Sequence, residues 1–551
     1  MTNPIRIIPL GGLGEVGKNM MIVEHGDDIV VIDAGLMFPK QDMHGVDLVL
    51  ADTSYLLEHQ EKVRAVLITH GHEDHVGGLP FLLRDLNVPV YAPPLAKDLV
   101  EVKLKEHTGV GKFDLREAHP GDTFELGSIT AEFFPVCHSI PDACGIALHT
   151  DAGIVVHSGD FKIDYTPVSG KPTELHRLAE LGKQGVLLLL SDSTYAESPG
   201  FTPSESIVAD ALDIVIGRAE GRVLVATFAS LIARVQQIAD AAVSHGRKIA
   251  LAGRSMVNNV TMALDKGYLD VPPGTFVELD ELSVLPPNQQ LIILTGAQGE
   301  PFAVLARVAR RHSRDIVIGD GDTVIVSASA IPGNETTIAA VIDNLTRQGA
   351  KVITRRHANV HVPGHASQEE LKLMLNLIQP KYFVPIHGEY RMLNAHADLA
   401  EAVGVEPENI HVLEDGDVLE IDVDAGSAEV NERVPAGHIY VDGLRLWDAR
   451  SAILRDRRNL SRDGFVVVVV PLDHTGELVG DPEIATSGFI DIDESEELVD
   501  EAVDLVAGAL RSTSKALEDD YISARVREVL GPFLQKETGR RPMIVTLPIE
   551  V

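Results

Sequence analysis

The stretch LITHGHEDHVGG, residues 67–78, constrains this chain more tightly than any other. An apolar run over 65–69 reads as a short buried strand delivering the chain to a polar turn, and His70, His72, Asp74 and His75 then fall within six residues. Imidazole nitrogen and carboxylate oxygen are ligands that suit zinc, and two pairs this close can face two different ions. The plainer alternative is a polar loop whose histidines are solvated or cap a helix, with Gly77 and Gly78 as turn residues. One loop cannot complete two tetrahedral sites, so the zinc reading requires further ligands downstream, each at a strand end. Strand-like runs over 129–136, 153–157 and 381–386 lead to His138, Asp160 and His387. A run over 29–32 leads to Asp33, which is expected to support the histidine loop from behind. This repeated grammar of strand then ligand predicts layered α/β structure with its chemistry at one sheet edge.

A chain of 551 residues is too long for one core and suggests two or three domains. Hydrophobic content of 45% without an apolar run of membrane length predicts a soluble protein with no membrane association. The N-terminus MTNPIRIIPL lacks an export-signal pattern, and two cysteines, Cys137 and Cys144, form no metal or disulfide pattern; both features predict a cytoplasmic protein. A strand that places His138 in a site turns Cys137 the other way, toward packing. The net charge of −35 argues against a general affinity for nucleic acid: either the substrate is not a nucleic acid, which charge alone favours slightly, or a nucleic-acid substrate would have to be held in a local channel.

Gly12, Gly14 and Gly17 satisfy G-x-G-x-x-G after a strand, with Asp33 near the distance expected for a ribose-binding acid. That reading requires a helix next. The sequence from Met20 instead reads strand, turn, strand, so the glycines are expected to form a tight turn beside the metal site. Helices are expected over 56–63, 80–86 and 95–107, and strands over 65–69, 88–91 and 185–190, the last leading to Asp192. From about 206 to 350 a separate α/β unit is expected, with helices over 206–219, 232–244 and 334–348 and strands over 222–227, 248–252, 291–294 and 323–326. The acidic, turn-rich stretch 415–443 reads as linker, and 451–551 as a small α/β domain. Its arginines, including Arg455, Arg457, Arg458, Arg540 and Arg541, are candidate RNA contacts or ordinary solvated surface.

The set Asp33, HGHEDH, His138 and Asp160 resembles the metallo-β-lactamase hydrolases. SDST at 191–194, HVPGHA at 361–366 and PIHGEY at 385–390 resemble the β-CASP nucleases within them. PLGGLGEVGKN near the start, TFAS at 227–230, GRSM at 253–256, TGAQGEP at 295–301 and RRPMI at 540–544 are similar to the bacterial ribonuclease J family. The resemblance implies an αββα metallo-β-lactamase sandwich (1–205 and 351–430) interrupted by a β-CASP domain (206–350), with a linker (431–450) and a C-terminal domain (451–551). It implies two zinc ions per subunit, with manganese or magnesium as substitutes: His70, His72 and His138 on one, Asp74, His75 and His387 on the other, Asp160 between them. It makes His365 the contact to the scissile phosphate and Asp192 the group that orients it. It implies 5′-to-3′ exonuclease and endonuclease action on single-stranded RNA in rRNA maturation and mRNA decay, using a metal-activated hydroxide and leaving 5′-phosphate products. A preference for 5′-monophosphate ends would use a small anion pocket lined by Ser230, Ser327, Ser329 and His361, beside Val362, Pro363, Gly364 and His365. Assembly as a dimer or tetramer, and membership of an RNA-decay complex, are implied as well.

Pro363 departs from the family pattern, which has serine there, and removes both a hydroxyl and a backbone N–H. A thioester or lactone hydrolase, a β-CASP DNA nuclease and a metal-free RNA-binding scaffold share parts of the pattern. The β-CASP stretches oppose the first, the ribonuclease-J-like stretches the second, and the complete ligand set the third.

Overall fold

The computed structural model describes the chain apart from residues 1, 41–42, 108, 110, 299–302, 330–333, 444, 449–451, 475–476, 492–494 and 512–518. The end of the TGAQGEP stretch and the first residue of the expected C-terminal domain lie outside the described residues. The chain divides into two compact units, Met1–Phe38 with Val49–His438, and Pro39–Leu48 with Ile439–Val551.

The larger unit begins with strands whose residues are almost all buried on both faces, Ile5–Gly11, Met20–His25 and Asp28–Ile32. They join Val63–Leu67 and Val90–Ala92 in an eight-stranded sheet. A six-stranded sheet contains Ile129–Pro135, Cys144–Thr150, Gly153–His157, Val186–Asp192 and Tyr382–Ile386. Ile7, Val23, Val30, Leu67, Phe133, Ile146, Leu188 and Val384 from the facing sheets share one apolar core. A second core, containing Leu56, Leu79, Leu82 and Ala96, backs the first sheet with helices. A third, containing Leu178, Leu371 and Met374, backs the second. Helix, sheet, sheet, helix is the resulting order of layers.

Val186–Asp192 pairs in parallel with both Gly153–His157 and Tyr382–Ile386. The last two strands named are thus close in space although a whole parallel sheet intervenes in sequence. That sheet runs Lys248–Ala252, Gln290–Leu294, Val223–Ala226, Thr323–Val326, Lys351–Ile353, every pair parallel. Helices Ser206–Arg218, Ile232–Ser244 and Glu335–Arg347 pack their buried faces on it.

Three expectations need correction. The helix expected over 56–63 is only Ser54–Glu58, because Val63 is already paired with Ile29 in the sheet. The expected β-CASP helices omit one at Arg254–Asp265, which begins in the GRSM stretch and runs nine residues beyond it. The stretch 415–443 is not a plain linker: Asp417–Asp422 pairs with the first strand of the chain and with Ser427–Arg433, while His438–Asp442 pairs with Arg445–Asp448. In DVLEID the residues Val418, Leu419 and Ile421 are buried, a strand pattern that the surrounding acidic turns obscure.

The smaller unit contains a three-stranded sheet of Glu483–Ser487, Phe465–Leu472 and Met543–Glu550. Helices Glu496–Arg511 and Asp519–Thr538 cover its Val466, Val468 and Val470 face. Of its arginines, Arg457 is paired with Asp442 and Arg540 donates to the Phe489 carbonyl. No helix among the described residues is long and apolar enough to cross a membrane.

Candidate metal centre

The carboxyl ends of parallel strands open on one crevice, which is where α/β sheets place their ligands. Asp33 and the histidine loop follow two paired parallel strands of the first sheet. Asp160, Asp192 and His387 end or follow three neighbouring parallel strands of the second. His70, His72, His138 and Asp160 have ligand atoms within 4.8 Å of one another, and so do Asp74, His75, Asp160 and His387. A third such group, Asp160, Asp192, His365 and His387, shares two members with these.

Hydrogen bonds around the histidines settle which nitrogen each turns inward. Thr69 Oγ1 donates to Asp33 Oδ2 and so accepts from His70 Nδ1 at 3.0 Å. His75 Nδ1 donates to Asp33 Oδ2 at 2.7 Å, His138 Nδ1 to the Gly364 carbonyl at 2.8 Å, and His387 Nδ1 to Asp160 Oδ1 at 2.8 Å. With Nδ1 engaged in this way, each of the four rings turns its Nε2 toward the crevice, the arrangement that metal-binding imidazoles require, and His75 Nε2 also lies 3.1 Å from Asn19 Nδ2. His72 Nδ1 lies 3.0 Å from His70 Nε2 and 3.1 Å from His138 Nε2. Three nitrogens converging this closely fit a shared cation. His387 Nε2 is buried with no hydrogen-bond partner among the described residues, and Asp160 Oδ2 stands 3.2 Å from His75 Nε2, 3.6 Å from His70 Nε2 and 3.7 Å from His138 Nε2. One carboxylate thus faces both ligand groups. The donor set fits divalent metal.

Charge follows the same division. Burial drives His70 and His138 well below the usual imidazole range and His72 down to about 4, so the first group is neutral and free to coordinate. Burial also opposes charge on His75 and His387, but Asp160 above all outweighs it, holding His75 well above its ordinary value and His387 up at about 10. Asp160 and Asp74 are correspondingly held low, against burial, by these histidines. A cation in the second group would take the place of those protons.

Backbone conformation is spent on aiming these residues. Asp33 and His387 adopt left-handed φ of 63° and 52°, uncommon for side chains with a Cβ. Gly364 must be glycine, since a Cβ there would stand 2.7 Å from His138 Cε1 and 2.8 Å from Ser139 Oγ.

His365 is placed beside the ligands. Its Nδ1 donates to Asp192 Oδ2 at 2.8 Å and lies 3.8 Å from Asp160 Oδ2, while Asp192 Oδ1 accepts from Thr194 N and Oγ1. Burial disfavours the imidazolium, but Asp192 outweighs it and raises His365 above its ordinary value.

The four residues expected to hold a terminal phosphate fare differently. Ser327 donates to the Val360 carbonyl and accepts from Arg234, so no donor is left for a ligand. Ser329 Oγ accepts from Arg355 and donates to no side chain or backbone group among the described residues. His361 Nδ1 is buried without a partner among the described residues, and burial, Arg234, Arg355 and Lys162 push the ring well below its ordinary value. Ser230 sits partly exposed in a turn, its carbonyl accepting from Ile232.

The glycine loop does more than turn. Gly12, Gly14 and Gly17 take φ of 97°, 74° and 120°, and a strand follows, so the dinucleotide pattern has no helix to serve. Lys18 is fully buried, with its ammonium 2.6 Å from Glu15 and 2.8 Å from Asp415. Next to it, Asn19 N donates to the Asp74 carbonyl, and Gly12 accepts from Gly388 N, the residue after His387. The motif therefore grips two ligands of the second group by their backbones. Neither this clamp nor buried His157, which accepts from Gly159 N beside Asp160, carries a signal in the residue spacing.

Four family descriptions match the chain: "Metallo-beta-lactamase superfamily" over residues 13–194, "Ribonuclease J, beta-CASP domain" over 220–345, "Zn-dependent metallo-hydrolase RNA specificity domain" over 349–413 and "Ribonuclease J C-terminal domain" over 452–551. Among curated proteins, the chain is 44% identical to ribonuclease J 1 of Streptococcus pyogenes over 99% of its own length and 97% of the relative's. It is 41% identical to ribonuclease J2 of Bacillus subtilis over 100% and 99%, and 44% identical to ribonuclease J of Thermus thermophilus over 99% and 95%. A crystal structure of a protein of unknown function from Enterococcus faecalis shares the fold, with a TM-score of 0.53 at 16% identity, covering 76% of this chain and 100% of that one.

Proposed function

Since the chain belongs to the ribonuclease J family, a metallo-β-lactamase fold carrying an inserted β-CASP domain, we propose that it is a metal-dependent ribonuclease that hydrolyses RNA phosphodiesters to 5′-phosphate and 3′-hydroxyl products. The observation that carries this reading is Asp160, flanked by two complete ligand groups with the His365–Asp192 pair against the same carboxylate. His70, His72, His138 and Asp160 would hold one zinc ion, and Asp74, His75, Asp160 and His387 a second, with manganese or magnesium as substitutes. Such ions acidify water and neutralise charge gathering on phosphorus. The side chains do the rest. Asp192 favours the charged form of His365 and fixes the ring by its Nδ1, leaving Nε2 to donate to a phosphate oxygen or to the departing 3′-oxygen. Asp33 and Thr69 keep the ligand tautomers, so the crevice is assembled before substrate arrives.

Both 5′-to-3′ exonuclease and endonuclease action are part of the proposal. His361, with Arg234, Arg355 and Lys162 around it, supports a terminal-phosphate pocket beside Ser230, Ser329 and the Val362 to Gly364 backbone. Pro363 offers that pocket neither hydroxyl nor N–H. We assign residues 1–205 and 351–430 to the hydrolase domain, 206–350 to the β-CASP domain and 451–551 to the C-terminal domain, and place the protein in the cytoplasm as a dimer or tetramer active in rRNA maturation and mRNA decay.

The test uses RNAs labelled at either end and bearing 5′-hydroxyl, monophosphate or triphosphate, with and without chelator. Expected are metal-dependent 5′-phosphate products, fastest from monophosphate ends, and no cleavage by Asp74→Ala. Cleavage that persists in that variant, or in chelator, overturns the mechanism.

A further inference from the structure

A chain with 82 acidic and 47 basic residues draws little affinity for RNA from its general field. Single strands are also held by stacking of bases on aromatic rings, which needs no net charge. We propose that Tyr195 is a stacking platform for a nucleobase flanking the scissile phosphate; the inference rests on the ribonuclease reading above.

Tyr195 lies three residues after Asp192, and its ring is parallel to that of His365, 6° between planes and 6.0 Å between centroids. Its loop is fixed from several sides. Ser193 N and Thr194 Oγ1 donate to the His387 carbonyl, Ala196 N donates to the Ser193 carbonyl and Gln368 Nε2 to the Ala196 carbonyl. Arg391, beyond His387, pairs with Glu197. The ring is therefore held in register with the group proposed to touch the phosphate, and little ordering is left for binding to supply.

Its surroundings also separate it from the structural tyrosines of the same unit. The hydroxyls of Tyr55, Tyr91, Tyr268 and Tyr382 bond to Glu24, Arg116, Asp98 and Gly426 respectively. Tyr195 is partly exposed, and its hydroxyl has no hydrogen-bond partner among the described residues. A partly exposed ring on a well-tied loop, parallel to His365 and with a hydroxyl that bonds to no described residue, suits a flat ligand.

The experiment compares wild type, Tyr195→Phe, Tyr195→Leu and Tyr195→Ala on a single-stranded oligoribonucleotide carrying 2-aminopurine beside the scissile bond, and on oligomers abasic at either flanking position. Expected is a rise in KM of roughly tenfold for the Leu and Ala variants, larger than any change in kcat, with the Phe variant close to wild type. Quenching of 2-aminopurine on binding should accompany the aromatic ring and disappear with it. On the oligomer lacking the stacked base, all four proteins should have the same raised KM. Leu fills the space without a π face and guards against a folding defect of the Ala variant. Unchanged KM in Tyr195→Leu, or an equal penalty on both abasic oligomers, overturns the inference while leaving the ribonuclease reading in place. Failure of the wild type to cut any RNA overturns both.

Discussion

At the residue scale, the site is a set of ordinary candidate ligands whose orientation is fixed by the hydrogen bonds behind them. Asp33 accepts from Thr69 N, Thr69 Oγ1 and His75 Nδ1, so it fixes one tautomer directly and another through Thr69. Asp33→Ala should lower metal affinity by roughly 10- to 100-fold while leaving all seven proposed ligands in the chain, measured by competition with a coloured chelator. His365 makes the matching case for protons. Its imidazolium is disfavoured by burial and sustained by the Asp192 carboxylate, so its proton is retained to higher pH than a free imidazole would retain it. Replacing Asp192 by Asn removes the sustaining charge but keeps the shape. If His365 acts as an acid, activity falls as pH rises through its pKa, and in Asp192→Asn that fall must come at lower pH. Single-turnover pH profiles check the direction; a shift to higher pH contradicts the assigned role. Asp33 was legible because it closes a strand just as the ligands do, whereas Tyr195 and His157 have no spacing that marks them.

At the scale of elements, strand ends with ligands could be read from apolar runs because fully buried strands leave a continuous signature, as in VLLLLSD and YFVPI. What could not be read was how a loop braces them. Lys18 and Asp415 are 397 residues apart and meet only because Asp417–Asp422 adds to the edge of the first strand, in a stretch whose acidity reads as linker. Within that brace, Glu15 and Asp415 outweigh the burial of the ammonium and keep Lys18 charged. Lys18→Met leaves half-buried Asp415 without its cation and buried Glu15 with only His438, an imbalance that costs up to about 3 kcal/mol of stability. The loss should appear as a lower urea midpoint. Because the neighbouring Asn19 and Gly12 hold the backbones at Asp74 and Gly388, metal titration should also show weakening of the Asp74, His75, Asp160 and His387 group before the His70, His72 and His138 group. Equal weakening of both groups would make Lys18 a support for the fold alone.

For the whole molecule, a charge of −35 and an RNA substrate are compatible only if binding is local and mostly not ionic. Several basic side chains in the larger unit are already committed: Lys18 is buried against two carboxylates, Arg234 is paired with Glu205, and Lys162 with Asp164. Arg355 and Arg391 remain at least partly available near the crevice, though Arg391 also pairs with Glu197 and Glu389. Each phosphate neutralised on a single strand contributes about −0.7 to the slope of log affinity against log salt, so two or three such contacts predict a slope of about −2 or shallower. The slope is best measured on Asp74→Ala with a short single strand, so that binding is separated from cleavage. A steep slope would mean that a basic surface lies outside the crevice, and the arginines Arg455, Arg458 and Arg541 of the smaller unit would then be the ones to substitute first. A shallow slope, together with affinity that depends on base identity less than on the presence of bases, is the behaviour of a protein that holds RNA by rings and a local metal site rather than by a basic surface.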